Sequence, residues 1–175
     1  MVIKWYIKLI IQDFRQPVLY LIPAIFLSGS IVFAVSWLCG KERIIRHKIP
    51  LAFFLAYILV IFRIAFLCRE PGSRKDISLV LFETWGHTFY MHAMFVENII
   101  MFIPLGVLLP ILFRKFRNGW VCVLTGFICS CSIEILQHIT QTGYLQLDDV
   151  VTNTTGTLLG WLAWKAEKRI IKNRK

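Results

Sequence analysis

Charge is excluded from long stretches of this chain, and that exclusion constrains the fold more than any single motif. Of its 30 Lys, Arg, Asp and Glu residues, 27 lie between or outside a set of apolar runs. Val18–Cys39 offers 22 residues without a charge, and Leu51–Cys68 offers 18 interrupted only by Arg63. Residues 93–113 and 119–142 hold one acid each, Glu97 and Glu134, and Val150–Trp164 adds a shorter run of 15. About 20 apolar residues span the hydrocarbon of a bilayer. The first four runs are therefore long enough, and the fifth is if Asp148 and Asp149 sit at the interface. The runs are continuous rather than striped. A hydrophobic share of 57% and a mean hydropathy of +0.66 exceed what a soluble domain of this length can bury. The expectation is an all-α polytopic membrane bundle of about five transmembrane helices.

A formal net charge of +10 would point to nucleic acid in a soluble protein. Here the basic residues flank the apolar runs, which is the pattern of membrane topology, so no nucleic-acid partner is expected. Lys and Arg number 3 in residues 1–17, 4 in 40–50, 3 in 69–92, 3 in 114–118, none in 143–149 and 6 in 165–175. Basic residues gather on the cytoplasmic side. An outside N-terminus places thirteen of them inside and six outside, and the opposite orientation reverses this. The tail 165–175 is thus expected in the cytoplasm, with 69–92 and 143–149 facing outward. Residues 1–17 read as an interfacial amphipathic segment before the helix 18–39. Ala34-Val35-Ser36 resembles a cleavage site, but the apolar run before it is long and starts late for a signal peptide. Cys39, Cys68, Cys122, Cys129 and Cys131 lack metal-site spacing and read as small packing residues.

Residues 69–92 form the longest connection. It opens on the turn signal Arg69-Glu70-Pro71-Gly72-Ser73 and ends in an aromatic stretch expected to lie against the membrane surface. Pro23, Pro104 and Pro110 fall inside helices, where neighbours can satisfy the freed carbonyls. Asp148 or Asp149 is placed to cap the last helix. Thr152, Gly156 and Gly160 recur every four residues, a smooth face suited to close helix packing or to self-association.

The charges inside the runs are the informative exceptions, since one at bilayer depth costs roughly 2.5–3.5 kcal/mol. At 1.5 Å per residue, Arg63 lies about 20 Å above Pro50 and Glu134 about 21 Å above Trp120. Glu97 and Asn98 lie one turn from the end of their run, and Asn153 one turn below Asp149. All five share one level, with Gln137 and His138 on the face of Glu134. Each has a plainer explanation. Arg63 can snorkel to the headgroups, Glu97 can reach the interface, and Asn98 and Asn153 can hold helices together. Glu134 is deepest and hardest to explain away. His87, His92 and His138 show no tight ligand spacing, so neither a metal nor a cofactor is expected.

Three ordered blocks carry a resemblance. Asn98-Ile-Ile-Met-Phe102-Ile-Pro104-Leu-Gly106, Ser132-Ile-Glu134-Ile-Leu-Gln137, and Asp149-Val-Val-Thr-Asn153-Thr-Thr-Gly156 with Gly160 look like the signature blocks of the VanZ-like family. The similarity covers residues 51–164, and helix 18–39 looks like an addition before the common part. The resemblance implies functional polar positions at Asn98, Glu134, Gln137, Asp149 and Asn153, joined by Arg63 from the layer. It also implies a cell-envelope role, with low-level resistance to the glycopeptide teicoplanin as the phenotype that named the family. One departure matters. Members often carry Gly-Arg and then an acid before the last aspartate, whereas this chain reads Thr142-Gly143-Tyr144-Leu145-Gln146-Leu147-Asp148. An altered ligand, or substitution by Arg63, would follow.

The expected function is non-catalytic: an outward polar pocket that binds membrane lipids, a lipid-linked cell-wall precursor or a lipoglycopeptide antibiotic. The alternatives are an intramembrane lipid hydrolase or transferase using Glu134 and Asp149 as acid and base, and a small transporter or flippase, which five helices would serve as a homo-oligomer. No nucleophile–base pair and no inverted repeat stands out for either.

Overall fold

The computed structural model describes residues 2–39, 48–69, 72, 77–83, 85 and 88–174. The turn residues Glu70, Pro71 and Ser73, and also Gly86 and His87, lie outside the described residues. Five helices carry the fold: α1 (Val2–Cys39), α2 (Lys48–Phe62), α3 (Phe89–Leu112), α4 (Gly119–Thr140) and α5 (Leu147–Asn173). Four contain segments long and apolar enough to cross a membrane: Val18–Trp37, Lys48–Leu67, Tyr90–Leu112 and Gly119–Thr140. The fifth helix is not among these, because threonine and asparagine interrupt its first half and lysine and arginine its second. The all-α polytopic bundle stands.

Two elements run on through an expected boundary. Residues 2–17 and 18–39, expected as an interfacial segment and a span, form one continuous helix of 38 residues. At 1.5 Å per residue it is about 57 Å long, well beyond a bilayer core. Likewise α5 runs unbroken from the expected span into the basic tail.

The bundle turns its large apolar side chains outward. Phe26, Phe33, Trp37 and Trp120 are among the most exposed residues, Trp120 at 86%. Apart from one apolar cluster, its interior holds Ser28, Ser130, Thr152, Gly156, Thr157 and Gly160. Lipid supplies no hydrophobic drive between helices, so small residues that let backbones approach set the packing. The most extensive contact joins α3 to α5. A side chain at Gly156 or Gly160 would collide with the Ile99 or Ile103 carbonyl, and one at Gly106 with that of Thr157. On α4, a side chain at Gly126 would strike Thr157. The Gly156/Gly160 face is therefore occupied within the chain by α3.

The proline expectation holds in one case with a named partner. Pro110 has no N–H to give the Gly106 carbonyl one turn back, and that carbonyl accepts the Cys122 thiol of α4 at 4.0 Å. A core of Phe102, Leu105, Leu109, Phe116 and Cys122 closes this end.

At the opposite end two connections meet. Strand β1 (Ile77–Ser78), from the 69–92 segment, pairs in parallel with β2 (Leu145–Gln146), with Ile77 opposite Leu145. The Gly72 N–H donates to the Gln141 carbonyl at 3.0 Å. Trp85 stacks on His92 at 4.2 Å and meets Phe95 edge-on at 5.1 Å. The described residues of the long connection thus form a cover tied to the bundle end.

Candidate functional site

Beneath that cover the polar residues converge. Asn98 on α3, Glu134 and Gln137 on α4, and Asp149 and Asn153 on α5 line one small chamber of about 20 Å³. Glu134, Gln137 and Asn153 are each only 3% exposed. Their hydrogen bonds tie four elements together. Asn98 Nδ2 donates to Asp149 Oδ1 at 2.8 Å, joining α3 to α5. Asn153 Nδ2 donates to Ser130 Oγ at 2.9 Å, joining α5 to α4. Ser130 Oγ in turn donates to the Asp149 carbonyl at 3.4 Å. Glu134 Oε2 accepts the Gln146 backbone N–H at 2.9 Å, fixing β2 above the chamber.

Gln137 solves a local problem on the neighbouring helix. After α2 the chain makes one π-helical turn, Arg63–Leu67, closed by the Cys68 N–H on the Arg63 carbonyl at 3.0 Å. Helix ends leave carbonyls without intrahelical donors. Gln137 Nε2 reaches across to one of them, Ala65, at 3.0 Å.

The first turn of α5 departs from the sequence expectation. Asp148 and Asp149 do stand there, where negative charge suits the helix dipole. Neither caps the helix. The N-cap residue is Gln146, which makes no side-chain cap bond. Asp148 Oδ1 instead accepts the Phe82 N–H at 2.6 Å, pinning the cover, while Asp149 turns inward to Asn98. Phe82 adopts a positive φ of 64° to present that N–H.

Arg63 is not in the chamber. Its guanidinium lies 3.8 Å from the centroid of the Tyr20 ring, a cation–π contact with α1. The buried face of this segment carries Ala56, Val60, Ile61 and Ala65. Arg63 is two residues from both Ile61 and Ala65, about 200° round the helix. Counting rise fixed its depth but not its direction.

The cation of the site is Arg69, just beyond the π turn. It lines the chamber beside Asn98, Glu134 and Asp149. It is also close enough to both carboxylates to act on each through its charge. Gly143, two positions before β2, leaves room for it: a Cβ there would lie 2.8 Å from Arg69 Nη1 and 2.9 Å from Gln137 Oε1. Arg69 therefore occupies the space beside Gly143, next to the position where an arginine was missing from the motif. The available signal was its place at the exact end of an apolar run, where a basic residue is otherwise read as topology.

A second recess adjoins the chamber. A groove of about 350 Å³ runs between α1, α2 and α3, walled by Val18, Leu21, Tyr57, Val60, Ile100, Met101 and Pro104. Its polar end is Arg69, Glu97 and Asn98. Ile61, Ile64, Arg69, Asn98 and Met101 line both spaces. An apolar trough thus leads to a charged, hydrogen-bonding head, and α1 supplies part of its wall.

The VanZ/LLP1 family model matches residues 51–171, which takes in α2 to α5 and every residue of the chamber. The chain is 32% identical to Protein VanZ of Enterococcus faecium over 106 residues, covering 58% of this chain and 62% of that protein. It therefore spans less than two thirds of that relative's length. No solved structure matches. With a family match over most of its length and apolar helices of spanning size, this multi-pass membrane protein belongs to the VanZ/LLP1 family.

Proposed function

We propose that the protein is a cell-envelope component that binds an amphiphile, its chain in the groove and its polar head at the chamber. The observation that carries this reading is the continuity of an apolar trough of about 350 Å³ with a head of Arg69, Glu97 and Asn98. Small-molecule sites are commonly apolar clefts of this order with a few placed polar groups. In the orientation favoured by the basic residues, with the tail 165–175 in the cytoplasm, the chamber end faces outward just beneath the headgroups. Ligands in that position are membrane lipids, a lipid-linked wall precursor, or a lipoglycopeptide whose acyl chain enters the outer leaflet. Low-level resistance to teicoplanin would follow from the last two.

The test is susceptibility on expression in a sensitive Gram-positive host, comparing acylated teicoplanin with vancomycin. A shift confined to teicoplanin supports the reading, and an equal shift for both drugs counts against capture through the acyl chain. A second reading, a lipid hydrolase, draws on Glu134 and Asp149 sharing one small chamber. Thin-layer chromatography of labelled lipids with the purified protein separates the two, since only an enzyme changes the lipid.

A further inference from the structure

The chamber is rich in acceptors and short of positive charge. Of its ionisable walls, Glu134 and Asp149 are acids and Arg69 is the base. Asn98 and Gln137 direct their amide nitrogens to Asp149 and to the Ala65 carbonyl. Asn153 is the informative member. Its Nδ2 is held by Ser130, while its Oδ1, on a residue that lines the chamber, is buried and has no hydrogen-bond partner. A buried carboxamide oxygen left unmatched is unfavourable. Carboxylate and carboxamide oxygens accept and do not donate. A group that satisfies Oδ1 donates a hydrogen bond, and positive charge on it would balance the second acid.

We infer that the chamber receives a primary ammonium group, carried by the amphiphile whose chain lies in the groove. This deepens the binding reading above and rests on it. Size selects among cations. A volume of about 20 Å³ exceeds the roughly 10–15 Å³ that one water-sized group needs, so –NH₃⁺ enters, whereas trimethylammonium is too large. Its three N–H donors match in number the three acceptor side chains Asn153, Glu134 and Asp149 that line the chamber. Arg69 stands on the wall common to chamber and groove, so it meets an anionic group next to the amine. The ligand class is an aminophospholipid-like amphiphile with a free primary amine.

The test is a titration of the purified full chain in detergent, read by native mass spectrometry. The probes are lysophosphatidylethanolamine, lysophosphatidylcholine and lysophosphatidylglycerol of one chain length. The ethanolamine lipid binds about tenfold or more tighter than the other two, as expected for charge-assisted hydrogen bonds that only it can make. Asn153→Leu and, as a near-isosteric second variant, Asp149→Asn remove that preference while chain-dependent binding persists. Equal affinity for all three lipids overturns the ammonium site, leaves the groove reading standing and assigns the chamber to water. Preference for the glycerol lipid also overturns it, making Arg69 the dominant contact. Binding of none overturns the amphiphile reading itself.

Discussion

Two arginines six residues apart show how little sequence position says about role. Arg63 sits mid-run and looks functional, yet it lies over Tyr20 on the outside of α2. Arg69 looks like a boundary residue, yet it lines both recesses. Replacing each by alanine separates them. Arg69→Ala is expected to abolish amphiphile binding and any teicoplanin phenotype, because it leaves two buried carboxylates without their nearby cation. Arg63→Ala is expected to change affinity less than twofold, since its contacts, over the Tyr20 ring and to Cys68, lie outside the chamber. Equal losses would mean that the arginines act together. Asn98→Ala strips Asp149 Oδ1 of its donor and is expected to cost about 1–3 kcal/mol. Thermal unfolding in detergent, followed by circular dichroism, measures that cost. Glu134→Gln keeps the shape and the bond from Gln146, so membrane abundance should persist while binding falls. Loss of abundance would instead assign Glu134 to packing.

At the level of elements, α5 is organised by what it lacks. Gly156 and Gly160 let it press backbone to backbone on α3, and Thr157 sits against Gly126 of α4. Gly160→Leu cannot be absorbed by a side-chain rotation, because the obstacle is the Ile103 carbonyl. Overpacking of this kind costs about 1–3 kcal/mol or more. A lowered melting temperature with binding and stability lost together is the expected result, measured by fluorescence size-exclusion after heating. The same mutation should not alter any association between copies, since α3 already covers that face. The two-residue strands are a further device. They join connections 69–92 and 143–149, and the Phe82–Asp148 bond reinforces them. Cysteines at Ile77 and Leu145, opposite one another in the pair, should crosslink under mild oxidation. Failure to crosslink would mean that the cover does not lie as described.

At the scale of the whole molecule, the bundle has a polar, covered end and a basic end where Arg114, Lys115 and Arg117 precede α4. From the charge distribution, the reading proposed above has the basic end in the cytoplasm. Single cysteines at Ser78 and at Lys172, probed with a membrane-impermeant maleimide on intact cells, test this. Labelling of the first and protection of the second is expected, and the reverse pattern would put the recess on the cytoplasmic side. The groove also explains why α1, outside the matched region 51–171, belongs to the site: Val18 and Leu21 complete its wall. A chain without α1 should retain the chamber and bind acyl-chain ligands more weakly.

Much of the site was legible before any coordinates. Arg63, Glu97, Asn98, Glu134 and Asn153 could be brought to one level because the rise of a helix is fixed and the apolar runs mark where each begins, with Gln137 on the face of Glu134; Asp149 was marked by the resemblance. The helical class followed from charge exclusion, because hydrocarbon tolerates few unpaired backbone groups. Tertiary structure alone decided direction. It turned Arg63 away, brought Arg69 in, aimed Asp148 at Phe82 instead of its own helix end, and paired Ile77–Ser78 with Leu145–Gln146. Depth along a helix is a one-residue property, counted from the chain itself. Azimuth round the helix, and contact across it, depend on which neighbour packs on which face, and that is settled only when all five helices meet.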